Sequence, residues 1–224
     1  MMSDGFLHRY FVNNVDKRLH KWLHYFDIYE RHFARFRDKK PTIVEIGVAG
    51  GGSLAMWKAY FGEGARIVGI DIDPACKQHE AESIDIFIGS QDDDALLATI
   101  RQSYPRIDIV LDDGSHLMPH MIKTFEVLYP HVDPHGVYMV EDTHTCYWPK
   151  YGAGVKKAGS FMEYVKDRLD DINAFHAKGA LPITGFTRTT ESITTYDSVV
   201  VFEKRPQGLR SAPITAAMPD QPPV

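Results

Sequence analysis

Short aliphatic, β-branched runs alternate along this chain with stretches of helical period, and that alternation limits the fold more than any other feature. The runs fall at 42–47, 66–71, 84–88, 107–112 and 136–140. Nearly every position in them is apolar, the pattern of strands covered on both faces. Between and after them, 54–60, 92–104, 119–129 and 157–178 read as helices. Asp92, Asp93 and Asp94 open the second of these, where the helix dipole favours acids. Pro119 suits the first turn of the third. A further amphipathic helix is expected over 17–37, because Trp22, Phe26, Tyr29, Phe33 and Phe36 recur at three-to-four spacing. Two last strands, 183–189 and 195–204, are expected to join through a polar turn. The fold class is then α/β: an open, mostly parallel seven-stranded sheet with an antiparallel C-terminal hairpin and helices on both faces.

The chain has 224 residues, of which 44% are hydrophobic, enough for one core of ordinary size. One domain is expected over 1–205, with a helical N-terminal segment at 1–40. Five prolines between Pro206 and Val224 mark 206–224 as a disordered tail. No run of about 18 apolar residues exists, so no membrane-spanning helix is expected. The first residues lack the basic-then-apolar order of a signal peptide. A cytoplasmic protein with reduced thiols at Cys76 and Cys146 is the expectation. A net charge of −5 offers no basic footprint for nucleic acid or an acidic membrane. The partner is therefore expected to be a small molecule or glycan, with homo-oligomerisation left open.

Ligands of such sheets bind at the carboxyl ends of the strands. The first run leads into Gly47-Val48-Ala49-Gly50-Gly51-Gly52-Ser53, where glycines allow a tight turn and close ligand approach. A dinucleotide fingerprint needs a glycine at position 49 and finds Ala49. Glu45, two residues before Gly47, would repel a pyrophosphate but accept a cationic ligand. Asp71, with Asp73 just beyond, is placed to take ribose hydroxyls, and Ser90 and Gln91 to read an adenine edge. Glu45, Gly47, Gly51, Ser53, Asp71, Ser90, Gln91 and Asp112 are the expected cofactor-binding residues. Ser53 has a second reading as a helix cap. Together these features resemble the class I methyltransferases, whose S-adenosylmethionine carries a sulfonium cation and no phosphate.

Two further strands end in acids: Asp112-Asp113-Gly114-Ser115-His116 and Glu141-Asp142-Thr143-His144. Neighbouring strands lie roughly 4.8 Å apart, so Asp113, Glu141 and Asp142 are expected to surround one point. Unpaired carboxylates there repel one another. Oxygen ligands suit a hard cation such as Mg²⁺, and the three are the expected metal ligands. Singly, such acids also cap helices or pair with lysines. His116, three residues after Asp113, is the expected general base, with His144 the rival. Zinc between His116 and His120 is disfavoured, because Pro119 starts the helix beyond His116.

The stretch 112–149, with Phe125, Pro130 and the run from Gly136 to Pro149, resembles the metal-dependent sugar O-methyltransferases of macrolide biosynthesis, the macrocin and mycinamicin type. The likeness runs from about Tyr25 to Lys204; some relatives carry a cephalosporin hydroxylase label. Pro134-His135-Gly136 departs from a turn that commonly has a second glycine. The extra N-terminal domain of some relatives is not expected here, so their oligomeric arrangement is not carried over. The resemblance implies an S-adenosylmethionine O-methyltransferase with Mg²⁺ on Asp113, Glu141 and Asp142 and with His116 as base. A vicinal diol would chelate the metal. Asp112 and Glu45 would hold the donor's charged end, and His144, Tyr147, Trp148 and Tyr151 the sugar. Tyr25, Tyr29 and His32 are further pocket residues or core. A non-sugar vicinal diol or catechol is the alternative acceptor. An NAD-linked oxidoreductase and a catalytically silent cofactor-binding protein are the remote alternatives.

Overall fold

A computed structural model describes residues 5–213 and 215. The strands are β1 (Thr42–Ile46), β2 (Arg66–Asp71), β3 (Ile84–Ile88), β4 (Ile107–Asp112), β5 (Val132–Val140), β6 (Thr190–Tyr196) and β7 (Val199–Lys204). They form one sheet in the order β3-β2-β1-β4-β5-β7-β6. The first five pair in parallel, and β7 runs antiparallel to both β5 and β6. The chain winds outward from β1 to β3, then returns to β4 on the other side of β1. The strand order thus switches between β1 and β4, where a crevice opens at their carboxyl ends.

Alternate residues of each strand face opposite sides, which produces two cores. Ile43, Ile67, Ile109, Leu111, Val137, Met139 and Val201 face one side. There they meet α2 (Tyr25–Phe33) and α3 (Gly52–Phe61), whose Tyr29, Phe33, Trp57 and Phe61 are wholly buried. Val44, Val68, Val110, Tyr138, Val140 and Phe202 face the other side. They are covered from α4 (Asp94–Ser103), α5 (Met118–Leu128) and α6 (Phe161–Ile172) by Leu97, Ile100, Phe125, Leu128, Phe161 and Val165. Asp93 caps α4, its carboxylate accepting from the N–H groups of Ala95 and Leu96.

Two expected elements differ most from the fold, beside the helix expected at 157–178, which shortens to α6, and the strand expected at 195–204, which a turn at Asp197 and Ser198 divides. The helix at 17–37 is only Tyr25–Phe33, followed by a single 3₁₀ turn, Ala34–Phe36. Residues 14–24 run as an irregular strap, and Trp22 is half exposed. The strap lies on the glycine turn, where a Cβ at Gly52 would come 2.5 Å from the Arg18 carbonyl oxygen. That contact needs the backbone itself as the packing surface, which a helix with side chains all round does not offer. Before the strap lies α1 (Phe6–Asn13), legible in the spacing of Phe6, Leu7, Tyr10 and Phe11. The second difference is at 183–189. Its β-branched alternation reads as a strand, but α7 (Gly185–Thr189) occupies most of it. Thr184 starts that helix by a reciprocal cap with Thr187. The hairpin therefore joins β6 to β7 through Asp197 and Ser198. At the C-terminus, 206–213 carry neither helix nor strand; the rest of the expected tail, apart from residue 215, lies outside the described residues. Among the described residues no helix is long and apolar enough to cross a membrane.

Candidate active site

The turn after β1 is built around Gly47. Its φ is +94°, and a Cβ there would lie 2.1 Å from the Asp113 carbonyl oxygen. Only glycine lets the ends of β1 and β4 approach this closely. Asp71, at the end of β2, accepts from the N–H groups of Val48 (2.8 Å), Ala49 (3.0 Å) and Asp73 (2.9 Å). Burial alone would raise its carboxyl, but these donors outweigh it and hold the group below its ordinary value. Ser53 is not a cap: Gly51 takes that position in a left-handed conformation. The Ser53 hydroxyl instead donates to Glu45 Oε2 at 2.9 Å, and Trp57 Nε1 does so at 3.2 Å.

Glu45 is fully buried beneath the turn rather than lining the cleft above it. Burial pushes its carboxyl up to about 7. Asp112 is likewise sealed off, 1% exposed, with Gln91 Nε2 at 3.1 Å from Oδ1. Burial raises it to about 7. The Gln91 amide is spent on Asp112, on Thr124 and on the N–H of Ser115, so it shapes this end of the cleft from within. The Ser90 hydroxyl donates to Asp92.

The acids that follow β4 and β5 do meet. His116 Nε2 lies 3.8 Å from Asp113 Oδ1 and 3.7 Å from Asp142 Oδ2. One ligand atom from each of the three residues fits within a mutual 4.8 Å, the spacing one shared ion requires. His116 (φ +55°) and Asp142 (φ +51°) both occupy the left-handed region, an uncommon conformation for residues with a Cβ. The Tyr25 hydroxyl donates to Asp142 Oδ1 at 2.7 Å. Glu141 is different: it is buried, accepts from the Tyr29 hydroxyl at 2.5 Å and is ion-paired with Lys21.

Lys21 is the residue the sequence reading missed. Its ammonium lies 2.6 Å from Asp113 Oδ2, 2.9 Å from Glu141 Oε2 and 3.7 Å from Glu45 Oε1, with the side chain 4% exposed. Burial would lower its pKa, but the three carboxylates outweigh that and hold it protonated. Burial and then the charge of Asp113 push Glu141 up to about 8. The sequence held half of the signal: three acids converging on one point demand a cation, but nothing local marks which upstream lysine supplies it.

His144 Nδ1 lies 4.0 Å from Asp142 Oδ1, but it is engaged by Ser198 Oγ at 3.1 Å, and its ring packs on Trp148. His120 bonds Ser115 Oγ, 3.1 Å away, and faces Asp92. Tyr147 and Trp148 are half exposed. Tyr151 sets its ring 6.2 Å from that of His116. His32 turns to Glu203 instead.

Two clefts share Gly47. One, of about 300 Å³, runs between the glycine turn and the acids, under Arg18 and Lys21 of the strap. The other, of about 260 Å³, has an apolar floor of Ile46, Ile70 and Leu117 with Asp71 and Ser90 at its sides.

Residues 44–143 match the protein family described as "Methyltransferase domain". The chain is 36% identical over 197 residues to the 8-demethyl-8-alpha-L-rhamnosyl tetracenomycin-C 2'-O-methyltransferase of Streptomyces olivaceus, covering 83% of this chain and 52% of that one. It is 39% identical over 163 residues to the mycinamicin VI 2''-O-methyltransferase of Micromonospora griseorubida, covering 67% and 40%. Among solved structures, the MycE methyltransferase of the mycinamycin pathway in complex with Mg, SAH and mycinamycin VI superposes with a TM-score of 0.76. That pair shares 33% identity over 88% of this chain and 52% of that one. The chain thus spans about half the length of such relatives. Residues 44–143 thus match a methyltransferase domain, and over most of its length the chain is similar to sugar O-methyltransferases.

Proposed function

We propose that the chain is an S-adenosylmethionine-dependent O-methyltransferase acting, with a divalent cation such as Mg²⁺, on a hydroxyl of a sugar or glycoside in the cytoplasm. One observation carries the reading: His116, Asp113 and Asp142 converge at the switch point, beside the residue that joins the two clefts. The donor set fits a hard cation, being carboxylate oxygens with at most one imidazole and no thiolate. Asp113 and Asp142 would hold it, with Glu141 completing the set when freed from Lys21. When bound, such a cation acts as a Lewis acid that lowers the pKa of an acceptor hydroxyl.

The chain's own residues do the rest. His116 takes the hydroxyl proton at Nε2, and the imidazolium formed there is stabilised by two carboxylates within 3.8 Å. Tyr25 fixes Asp142 through its hydroxyl. Asp71 already accepts three N–H groups and the weak Cys76 thiol donor, so a ribose hydroxyl would bind it by taking the place of that thiol. The adenine end would lie on the apolar floor of the second cleft. Tyr147, Trp148 and Tyr151 offer ring faces on which a sugar can rest. Holding donor and acceptor in line is worth about 7–11 kcal/mol of barrier in well-oriented systems. A catechol in place of the sugar would satisfy the same acids and base. The NAD-linked reading is weakened by Val48 and Ala49, whose N–H groups, needed for a pyrophosphate, are tied to Asp71.

The test is a titration of S-adenosylmethionine and MgCl₂ into wild type and Asp113→Asn, with methyl transfer to rhamnosyl and macrolide glycosides as the activity. Donor binding is expected to survive the substitution while transfer falls by at least 10²-fold. His116→Ala is expected to lower kcat by about 10²–10⁴-fold, and His144→Ala by far less. Full turnover of Asp113→Asn in chelator would overturn the reading.

A further inference from the structure

Lys21 does not belong to the glycine turn or to the strands that carry the acids. It comes from the strap at 14–24, which has neither helix nor strand. Among the described residues three carboxylates face its ammonium: Asp113 Oδ2, Glu141 Oε2 and Glu45 Oε1. Two of these belong to carboxylates, Asp113 and Glu141, that the metal-dependent reading assigns to the ion. Glu45 Oε1 has no hydrogen-bond partner among the described residues, so the ammonium at 3.7 Å is the one positive charge facing it. One ammonium cannot neutralise these three acids together with Asp142 once all four are ionised. A divalent cation brings twice the charge to the same oxygens, and Coulomb attraction scales with that charge.

We propose that Lys21 is the resident counter-ion of the acid cluster, a positioning residue that holds Asp113 and Glu141 together and withdraws, with the strap, when a divalent cation takes those carboxylates. This rests on the metal-dependent reading above and adds to it an exchange between one buried ammonium and one ion. The strap is suited to the movement. Its hold on the turn is the packing of Arg18 and Leu19 against Gly50 and Gly52, with Leu19 also resting on the core, and it has few backbone hydrogen bonds to break. Metal loading then becomes coupled to the position of the wall formed by Arg18 and Lys21 over the first cleft. The carboxylates keep a cationic partner in both states, which avoids the cost of bare buried charge.

Two measurements on the full chain test the exchange. In the first, wild type is labelled with acetic anhydride with and without saturating MgCl₂, and acetylation of Lys21 is read by mass spectrometry against exposed Lys39. Labelling of Lys21 is expected to rise several-fold on Mg²⁺ addition; no change, or a fall, overturns the proposal. In the second, Mg²⁺ affinity is measured calorimetrically for wild type and Lys21→Met. Removal of the competing ammonium is expected to tighten binding by about tenfold, within the usual range of site coupling; equal or weaker binding overturns it. The labelling arm needs no variant, so poor folding of Lys21→Met leaves it decisive. Wild type that binds Mg²⁺ with Lys21 still protected sinks the exchange alone. Wild type that binds no divalent cation sinks the metal-dependent reading with it.

Discussion

At the scale of single residues, two glycines with positive φ separate conformational strain from steric exclusion. Gly47 (φ +94°) has the Asp113 carbonyl oxygen 2.1 Å from where a Cβ would stand, whereas Gly152 (φ +79°) has nothing within 4 Å. Gly152→Ala is therefore expected to cost only the left-handed penalty, about 1–2 kcal/mol. Gly47→Ala must also push the end of β4 away, and a cost of about 3 kcal/mol or more is expected. Urea unfolding of the two variants checks the difference; equal losses would mean that the contact at Gly47 is not tight. Residue types here were legible. A glycine turn with an acid before it, and acids after two apolar runs, led to Gly47, Asp71, Asp113, His116 and Asp142 as residues of one region. Lys21 was not legible, because a lone lysine within an aromatic periodicity reads as a solvated charge. Its meaning arises only when the strap folds back across 92 residues of sequence to Asp113.

At the scale of elements, α2 is tied to the sheet by a polar clasp. Glu203 of β7 lies 2.6 Å from His32 Nδ1 and is also paired with Arg35, just after α2. Burial would raise the Glu203 carboxyl, but His32 and Arg35 outweigh it and hold it below the ordinary value. A depressed folded-state pKa contributes stability above the unfolded value, about 4.3, which is lost as pH falls through the folded one. Glu203→Gln is expected to lose about 1–3 kcal/mol at pH 7. Its deficit against wild type should be smaller at pH 3 than at pH 7. Denaturant midpoints of both proteins at the two pH values decide this, and a deficit independent of pH would show that charge is not the cause. The same clasp explains why His32, considered for the pocket, points away from it.

At the scale of the whole molecule, two hydrophobic cores lie on opposite faces of one sheet, and the same strands feed both. Val44 and Ile43, adjacent in β1, sit in different cores. Neither core can melt without stripping the strands that support the other. We propose that the one domain expected over 1–205 unfolds as a single cooperative unit, so that calorimetric and van't Hoff enthalpies agree. Two resolved transitions, or a ratio well above one, would divide the chain instead.

The apolar runs and their acidic or glycine ends decided the sheet, its parallel core and which strand ends bring acids together, because a strand covered on both faces must be apolar nearly throughout. Tertiary structure decided the rest. It shortened the helix expected at 17–37, since the strap's backbone is what fits against Gly50 and Gly52. It replaced a β-branched strand by α7, since a Thr184–Thr187 cap satisfies donors that a strand edge would leave open. It also moved Glu45 and Asp112 from the cleft to buried supports beneath it. Local pattern carries the period of an element, whereas the partner of a buried charge is set by which distant segment folds over it.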